Sequence, residues 1–405
     1  MTVVEFLSDD PVENVASLVS LEPERVIFLG RSEWVTRHRA CCERLNAALG
    51  GKTELVFRTI DLWDFEGISE TLTTVCAQYE DVCFDLTGGD ETLLAAAGSV
   101  HATNPAVRLH RFDLKNGVCR SVPDGKTLPL KAPLCLSIAQ LVSLFGGAVG
   151  SSADGDPLTA WTYSDDALQT LLTMWRVCAR DPNRWNKAIG SMCSMLKYAA
   201  FDPRALRVTV DRGAAESRMA RFAEKATLVG RVLDELEREG VVQVDGALSF
   251  SYASPLVRHV MAKEGNLLEL YTLFTAAGLC DADGRRLFCD AKCGVYMDWD
   301  GVFGQPNNTH NEIDVMLMCG VTPVFISCKN GDIDDKELYK LSAVAQRFGG
   351  DRAKKALVAT FVERNPMAYA DFKERAAQMG VTLIDRVETL SPKDFEARLR
   401  ALGEE

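Results

Sequence analysis

The first 112 residues alternate two patterns of apolar spacing. Runs rich in β-forming residues recur at Val3–Leu7, Arg25–Gly30, Glu54–Ile60, Val82–Leu86 and Val107–Phe112, and predict strands. Between them apolar side chains return every three or four positions. Val12, Val15, Ala16, Leu18 and Val19 do so behind Pro11, as do the stretches Ile68–Tyr79 and Leu93–Val100, and these predict helices. Strand–helix alternation of this kind builds a doubly wound, mostly parallel sheet with helices on both faces. The pattern then breaks. Gly117, Pro123, Gly125, Pro129, Pro133, Gly146, Gly147 and Gly150 crowd residues 113–150 and mark a boundary, and Ser151–Pro157 reads as a flexible loop.

From 165 to 262 helical spacing dominates, with Leu168, Leu171, Leu172, Trp175 and Val177 in one stripe and Thr227–Glu239 as a charged amphipathic helix. Val241–Val244, the turn Asp245-Gly246 and Ala247–Phe250 form a hairpin signal. Helices followed by such a wing look like a winged-helix module. The helix before the wing carries Asp234, Glu235, Glu237 and Glu239, which favours a connector over a DNA reader. Elements of both kinds fill the remainder: a helix from Gly265, a strand at Val295–Trp299, a hairpin over Asn311–Lys329, a helix over Asp334–Phe348, and then strand, helix, strand and helix to the end. The expected domains are 1–148, 149–254 and 255–405.

Two stretches carry chemistry. In the Asn311–Lys329 hairpin, alternation puts Glu312 and Asp314 on one face of the first strand, and Ser327 and Lys329 on one face of the second. Charges in a predicted buried sheet are costly unless paired or metal-bound. The pattern fits either a structural Asp–Lys pair or a metal site. The second stretch, Thr87–Thr92, exits a predicted parallel strand. Gly88 and Gly89 allow close backbone approach, and a helix N-terminus offers amides to a phosphate. The loop is not GxGxxG and has no Walker lysine. A tight turn capped by Asp90 or Thr92 is the alternative.

Composition narrows the class. The chain has 405 residues, 47% hydrophobic and 25% charged, as ordinary globular proteins do. No apolar run is long enough to span a membrane, and the N-terminus has no signal-peptide pattern. A net charge of −12 argues against coating duplex nucleic acid through one broad basic surface. Thirteen scattered cysteines suggest a reduced, cytoplasmic chain. Cys280, Cys289 and Cys293 are the nearest to a cluster, but without a CxxC pair they read as small buried hydrophobes rather than zinc ligands.

A helix with Glu269, a strand with Asp314, a strand ending in Lys329 and a following helix resemble the core of PD-(D/E)xK nucleases. The N-terminal part, through Leu7–Asp10, Gly30-Arg31-Ser32 and Asp85–Asp90, resembles a CRISPR-associated Rossmann-fold (CARF) domain. Together they look like the type III CRISPR ancillary nucleases. That resemblance implies an α/β chain with a Rossmann-like sensor, a winged-helix-like connector and a restriction-endonuclease-like domain. It implies a homodimer binding cyclic oligoadenylate, with cyclic tetra-adenylate expected, through Ser8, Gly30, Arg31, Thr87, Gly88, Gly89 and Thr92. It further implies cleavage of DNA or RNA with Mn²⁺ or Mg²⁺ held by Asp314 and its neighbours, Lys329 orienting the attacking water. One departure stands out. Ser327 occupies the place of the motif's carboxylate, and a hydroxyl is the weaker ligand. Glu312, Glu337 and Glu269 are the substitutes. The competing expectation is a non-catalytic sensor and winged-helix regulator with a decayed nuclease domain.

Overall fold

A computed structural model describes residues 1–150, 163–202, 204–246, 248–301, 310–331, 333–360 and 366–404. The Ser151–Pro157 loop lies outside them. Strands β1 (Thr2–Phe6), β2 (Arg25–Gly30), β3 (Glu54–Thr59), β4 (Val82–Asp85) and β5 (Arg108–Asp113) run parallel in the order β3-β2-β1-β4-β5. β1 is buried along its whole length, as expected of a strand covered by helices on both faces. The strand order reverses between β1 and β4. Their carboxyl ends therefore flank the crevice in which such sheets take ligands.

The stretch 113–150 is more ordered than its turn residues suggest. β6 (Val118–Ser121) and β7 (Thr127–Leu128) extend the first sheet antiparallel. A helix at Ile138–Leu144 starts from a capping box between Ser137 and Gln140, and β8 (Ala148–Gly150) follows. Strands of two to four residues are too short to show a period. The Ser-x-x-Gln box was the legible signal there.

The middle region holds helices Asp165–Cys178, Pro182–Leu196, Arg212–Arg218 and Phe222–Arg238. Its sheet has the order β11-β12-β10-β9, from β9 (Ala199–Asp202), β10 (Arg207–Val210), β11 (Val242–Gly246) and β12 (Ser249–Tyr252). The wing is thus a four-stranded sheet. Part of the acidic helix is neutralised internally, since Glu235 accepts two bonds of 2.8 Å from Arg184.

The third sheet comprises β13 (Asp290–Asp298), β14 (His310–Cys319), β15 (Thr322–Lys329), β16 (Lys354–Ala359) and β17 (Val381–Ile384), ordered β17-β16-β15-β14-β13-β8. The helix Asn266–Gly278 packs with Val315, Leu317, Val324 and Ile326. The helix Asp335–Gly349 packs with Met316, Phe325 and Leu357 on the other face. β8 pairs with β13, and Ile138–Leu144 packs into the same core as Phe325 and Phe348.

Here the expectation of reduced, unpaired cysteines is corrected. Cys135 and Cys289 form a disulfide, 154 residues apart in sequence, because the segment before Ile138 crosses to the start of β13. Spacing could not show that proximity. Cys293 is buried in the apolar core and Cys280 is half-buried. Among the described residues no helix is long and apolar enough to cross a membrane.

Candidate active site

The β14–β15 ladder runs from Cys319 opposite Thr322 to Val315 opposite Ile326 and pairs no further. Where it parts, the Asp314 carboxylate takes the place of a strand carbonyl. Its Oδ2 accepts the Cys328 amide at 2.7 Å and the Ser327 hydroxyl at 3.0 Å. The Lys329 ammonium stands 3.6 Å from the same oxygen and 3.2 Å from Glu337 Oε2. Lys329 pairs with the end of β16, and just past that strand Thr360 N donates to its carbonyl at 3.1 Å. Burial alone would push the lysine pKa down. Asp314 and Glu337 outweigh it and hold the ammonium above its ordinary value.

Glu312 lines the same small cleft as Asp314, Ser327, Glu337 and Lys340, and it accepts a 3.1 Å bond from the Tyr296 hydroxyl. Glu269 approaches from the opposite helix layer and is buried. Burial pushes its carboxyl up to about 8, and Asp314 adds to the rise. The structure therefore gathers Asp314, Ser327, Lys329 and Glu337 into direct contact. Glu312 borders them, and Glu269 is coupled to them through charge.

The donor set suits a hard divalent cation, which takes carboxylate oxygens. Among the described residues, Oε2 of Glu269 is buried without a hydrogen-bond partner, and the contacts to Asp314 fall on Oδ2, which leaves carboxylate oxygens open to such an ion. No three His, Cys, Asp or Glu groups among the described residues stand ready-arranged around one point. Lys329 occupies the space between Asp314 and Glu337 instead.

The raised Glu269 pKa has a stability consequence. Folded and unfolded chains are both protonated below about 4.5, the ordinary value of this carboxyl, and both ionised above about 8. Between these limits the folded chain keeps a proton that the unfolded chain has lost, so this residue's contribution falls as pH rises. Glu269→Gln should remove that fall in metal-free protein and melt higher than wild type at pH 8. Parallel melting curves from pH 5 to 8 would refute the burial argument.

Four residues around the site were not found by sequence reasoning. Tyr296 holds Glu312. Asn330, next to Lys329, donates to Asn186 Oδ1 at 2.7 Å and accepts from Thr360 Oγ1 at 2.9 Å. Asn186 returns a bond to the Asn330 carbonyl. Only the adjacency of Asn330 to Lys329 could have flagged any of them.

At the other end of the chain, the β1 and β4 exits meet. A Cβ on Gly88 would lie 3.1 Å from the Phe6 carbonyl and 3.2 Å from both Ser8 Oγ and Glu13 Cβ. Gly89 has φ +101°, a conformation that favours glycine. Gly30 ends β2 against Leu7. Arg31 stacks over Trp34 at 4.3 Å and pairs with Glu33 at 3.6 Å. Thr92 lies in the first turn of the helix Glu91–Thr103, where its amide is taken by the cap Asp90 at 3.0 Å.

Beneath this loop lies a buried charged row that the sequence did not reveal. Glu5, Asp85 and His110 are register partners across β1, β4 and β5. Asp85 Oδ2 accepts from Ser17 at 2.5 Å and stands 3.2 Å from His110 Nε2. Its Oδ1 accepts the Thr87 amide at 2.8 Å, and the Thr87 hydroxyl accepts from Phe112 N at 2.8 Å. Burial would push His110 down and Asp85 up. Their mutual attraction wins, so His110 is raised and Asp85 lowered, with Ser17 and Thr87 adding to the latter. Burial, then the Asp85 charge, raise Glu5.

No protein-family model and no curated protein sequence matches this chain significantly. Solved structures do. The crystal structure of protein VC1899 from Vibrio cholerae superposes with a TM-score of 0.71 at 18% identity, covering 99% of this chain and 97% of that one. Can2 from Sulfobacillus thermosulfidooxidans, solved with cyclic tetra-adenylate, gives 0.63 at 14% identity, covering 100% and 97%. The chain shares its fold, from end to end, with these proteins. A type III CRISPR defence DNA nuclease activated by cyclic oligoadenylate gives 0.52 at 14% identity, covering 90% of this chain and 46% of that one. The α/β fold expected from the sequence is the fold these structures share with the chain.

Proposed function

We propose that this protein is a type III CRISPR ancillary nuclease: a cyclic oligoadenylate sensor that switches on metal-dependent cleavage of DNA or RNA. The observation that carries the reading is the Asp314–Ser327–Lys329–Glu337 cluster at the parting of β14 and β15. The end-to-end likeness to Can2, which was solved with cyclic tetra-adenylate, supports the sensor half. On this reading residues 1–148 sense, 149–254 connect and 255–405 cut, and the working form is a homodimer.

Asp314, Glu269 and Glu337 would hold Mn²⁺ or Mg²⁺, with Glu312 bordering them. Such an ion supplies charge neutralisation and lowers the pKa of a bound water. Lys329 does the rest. Held charged by two carboxylates, it orients the attacking water and neutralises charge developing on the phosphoryl oxygens. Glu337, already 3.2 Å from Lys329, is the carboxylate that takes over where Ser327 stands in the motif.

The test is cleavage of plasmid DNA and of RNA with Mn²⁺, with and without cyclic tetra- and hexa-adenylate. Activator-dependent cleavage is expected. Calorimetric binding of the ring without cleavage of either substrate would establish the non-catalytic regulator instead. Gly88→Val belongs in the same experiment. Its side chain intrudes on Phe6, Ser8 and Glu13, and should lower activator affinity by about tenfold or more. Undiminished binding would remove this loop from the ligand site.

A further inference from the structure

Arg111 on β5 and Arg120 on β6 are direct cross-strand partners, and both are exposed. Like charges placed opposite each other repel. Both arginines line a cleft of about 570 Å³ together with Lys115, Thr87, Glu13 and Arg352, a volume in the range of small-ligand sites. Asp113 also borders the cleft, but Asn116 already engages both its oxygens, at 3.1 and 2.7 Å. Among the described residues four cations line the cleft against Glu13 and Asp113, with Asp10 behind Arg352 as a third carboxylate, which leaves a positive balance in a chain of net charge −12.

Arg352 comes from the far end of the chain. It closes the short turn Gly350–Arg352, directly behind the helix Asp335–Gly349 that carries Glu337. Its Nε donates to Asp10 Oδ2 at 2.8 Å, and its Nη2 to Glu13 Oε1 at 3.0 Å. The other oxygen of Glu13 accepts from Ser8 at 2.8 Å, and Ser8 sits against Gly88. One guanidinium thus ties the sensor loops to the helix that bears part of the nuclease cluster, and it does so at the edge of a cationic cleft.

We propose that this cleft binds a phosphodiester of the nucleotide activator, and that the phosphate takes Arg352 away from Asp10 and Glu13. The bridge holds the resting state, and its exchange is the step passed to the nuclease. The inference rests on the sensor–nuclease reading above. Guanidinium forks match phosphate as well as carboxylate geometry, so the exchange keeps the arginine's charge paired. Coupling of this kind is reciprocal: whatever breaks the resting bridge without removing Arg352 must also tighten ligand binding.

Three full-length variants test it, each with calorimetry against cyclic tetra-adenylate and cleavage measured without activator. Asp10→Asn combined with Glu13→Gln should bind the ring more tightly and cleave without it. Arg352→Ala should also cleave without it, but bind about tenfold or more weakly. Arg111→Ala with Arg120→Ala, both at exposed positions, should bind about tenfold or more weakly. Wild-type affinity in the arginine pair, or wild-type affinity and no activator-free cleavage in the Asp10/Glu13 variant, overturns the proposal. If wild type itself never cleaves, the nuclease reading fails, and the calorimetric order still decides the fate of the cleft.

Discussion

Lys329→Ala is expected to lose metal-dependent cleavage by about a thousandfold or more, and to melt within a few degrees of wild type. The geometry supports both halves of that result. Lys329 is the one ammonium in contact with Asp314 among the described residues, so its removal takes away charge neutralisation where the reaction needs it. Asp314 is not stranded, because Ser327 and the Cys328 amide still donate to it. Asp314→Ala should be equally inactive but less stable, since it strips the Cys328 amide of its acceptor at the point where the ladder parts. Glu337→Gln should share the loss of cleavage, with Glu312→Gln as its comparison. If both glutamine variants cut normally, no carboxylate has replaced the motif's own. A structural ion pair makes the opposite forecast for Lys329→Ala: active protein, destabilised by about 3–5 kcal/mol. A melt beside a cleavage assay separates the two.

His110→Ala is expected to destabilise the N-terminal sheet domain more than any exposed substitution in it. It leaves the fully buried Asp85 without its cation, a loss of about 3–5 kcal/mol. For a domain of this size that is a fall in melting temperature on the order of 10 °C. The pH signature follows from the directions of the shifts. The stabilisation due to Asp85 is present above its ordinary value of 3.8 and is lost as pH falls through its lowered native value. That due to His110 is present below 6.5 and is lost as pH rises through its raised native value. The pair therefore contributes most between about 3.8 and 6.5. The difference in melting temperature between wild type and His110→Ala should shrink outside that window. A constant difference from pH 3 to 9 would mean that His110 is neutral in the fold and the row is held by packing.

How much of this was legible from the sequence depended on range. Elements with a full period were found within a few residues: Arg25–Gly30, the β14–β15 hairpin, and the helix behind it. The site residues on that hairpin were legible because strand alternation forces Ser327 and Lys329 to one face, and both do reach Asp314. What escaped was whatever depends on two distant segments meeting. Glu5, Asp85 and His110 are each unremarkable in their own strands and form a charged row only through the β1-β4-β5 order. Asn186 meets Asn330 across 144 positions, and Arg352 meets Asp10 across 342. The strands in 113–150 were missed for the opposite reason, being too short to carry any pattern.

β8 has a bearing on how such chains can be assembled by recombination. It is the last element of residues 134–150 and finishes the edge of the C-terminal sheet against β13, while Ile138–Leu144 packs between that domain's core and the helix Ser32–Ala48 and Cys135 is joined to Cys289. A crossover placed just after Gly150 would donate a C-terminal domain with a bare β13 margin, open to pairing with other chains. It would leave behind the helix Ile138–Leu144 covered only on the side that packs against the helix Ser32–Ala48. Exchanging the C-terminal domain for another therefore has to supply both a strand for the β13 margin and a helix that fits Ser32–Ala48, so residues 134–150 belong to two units at once.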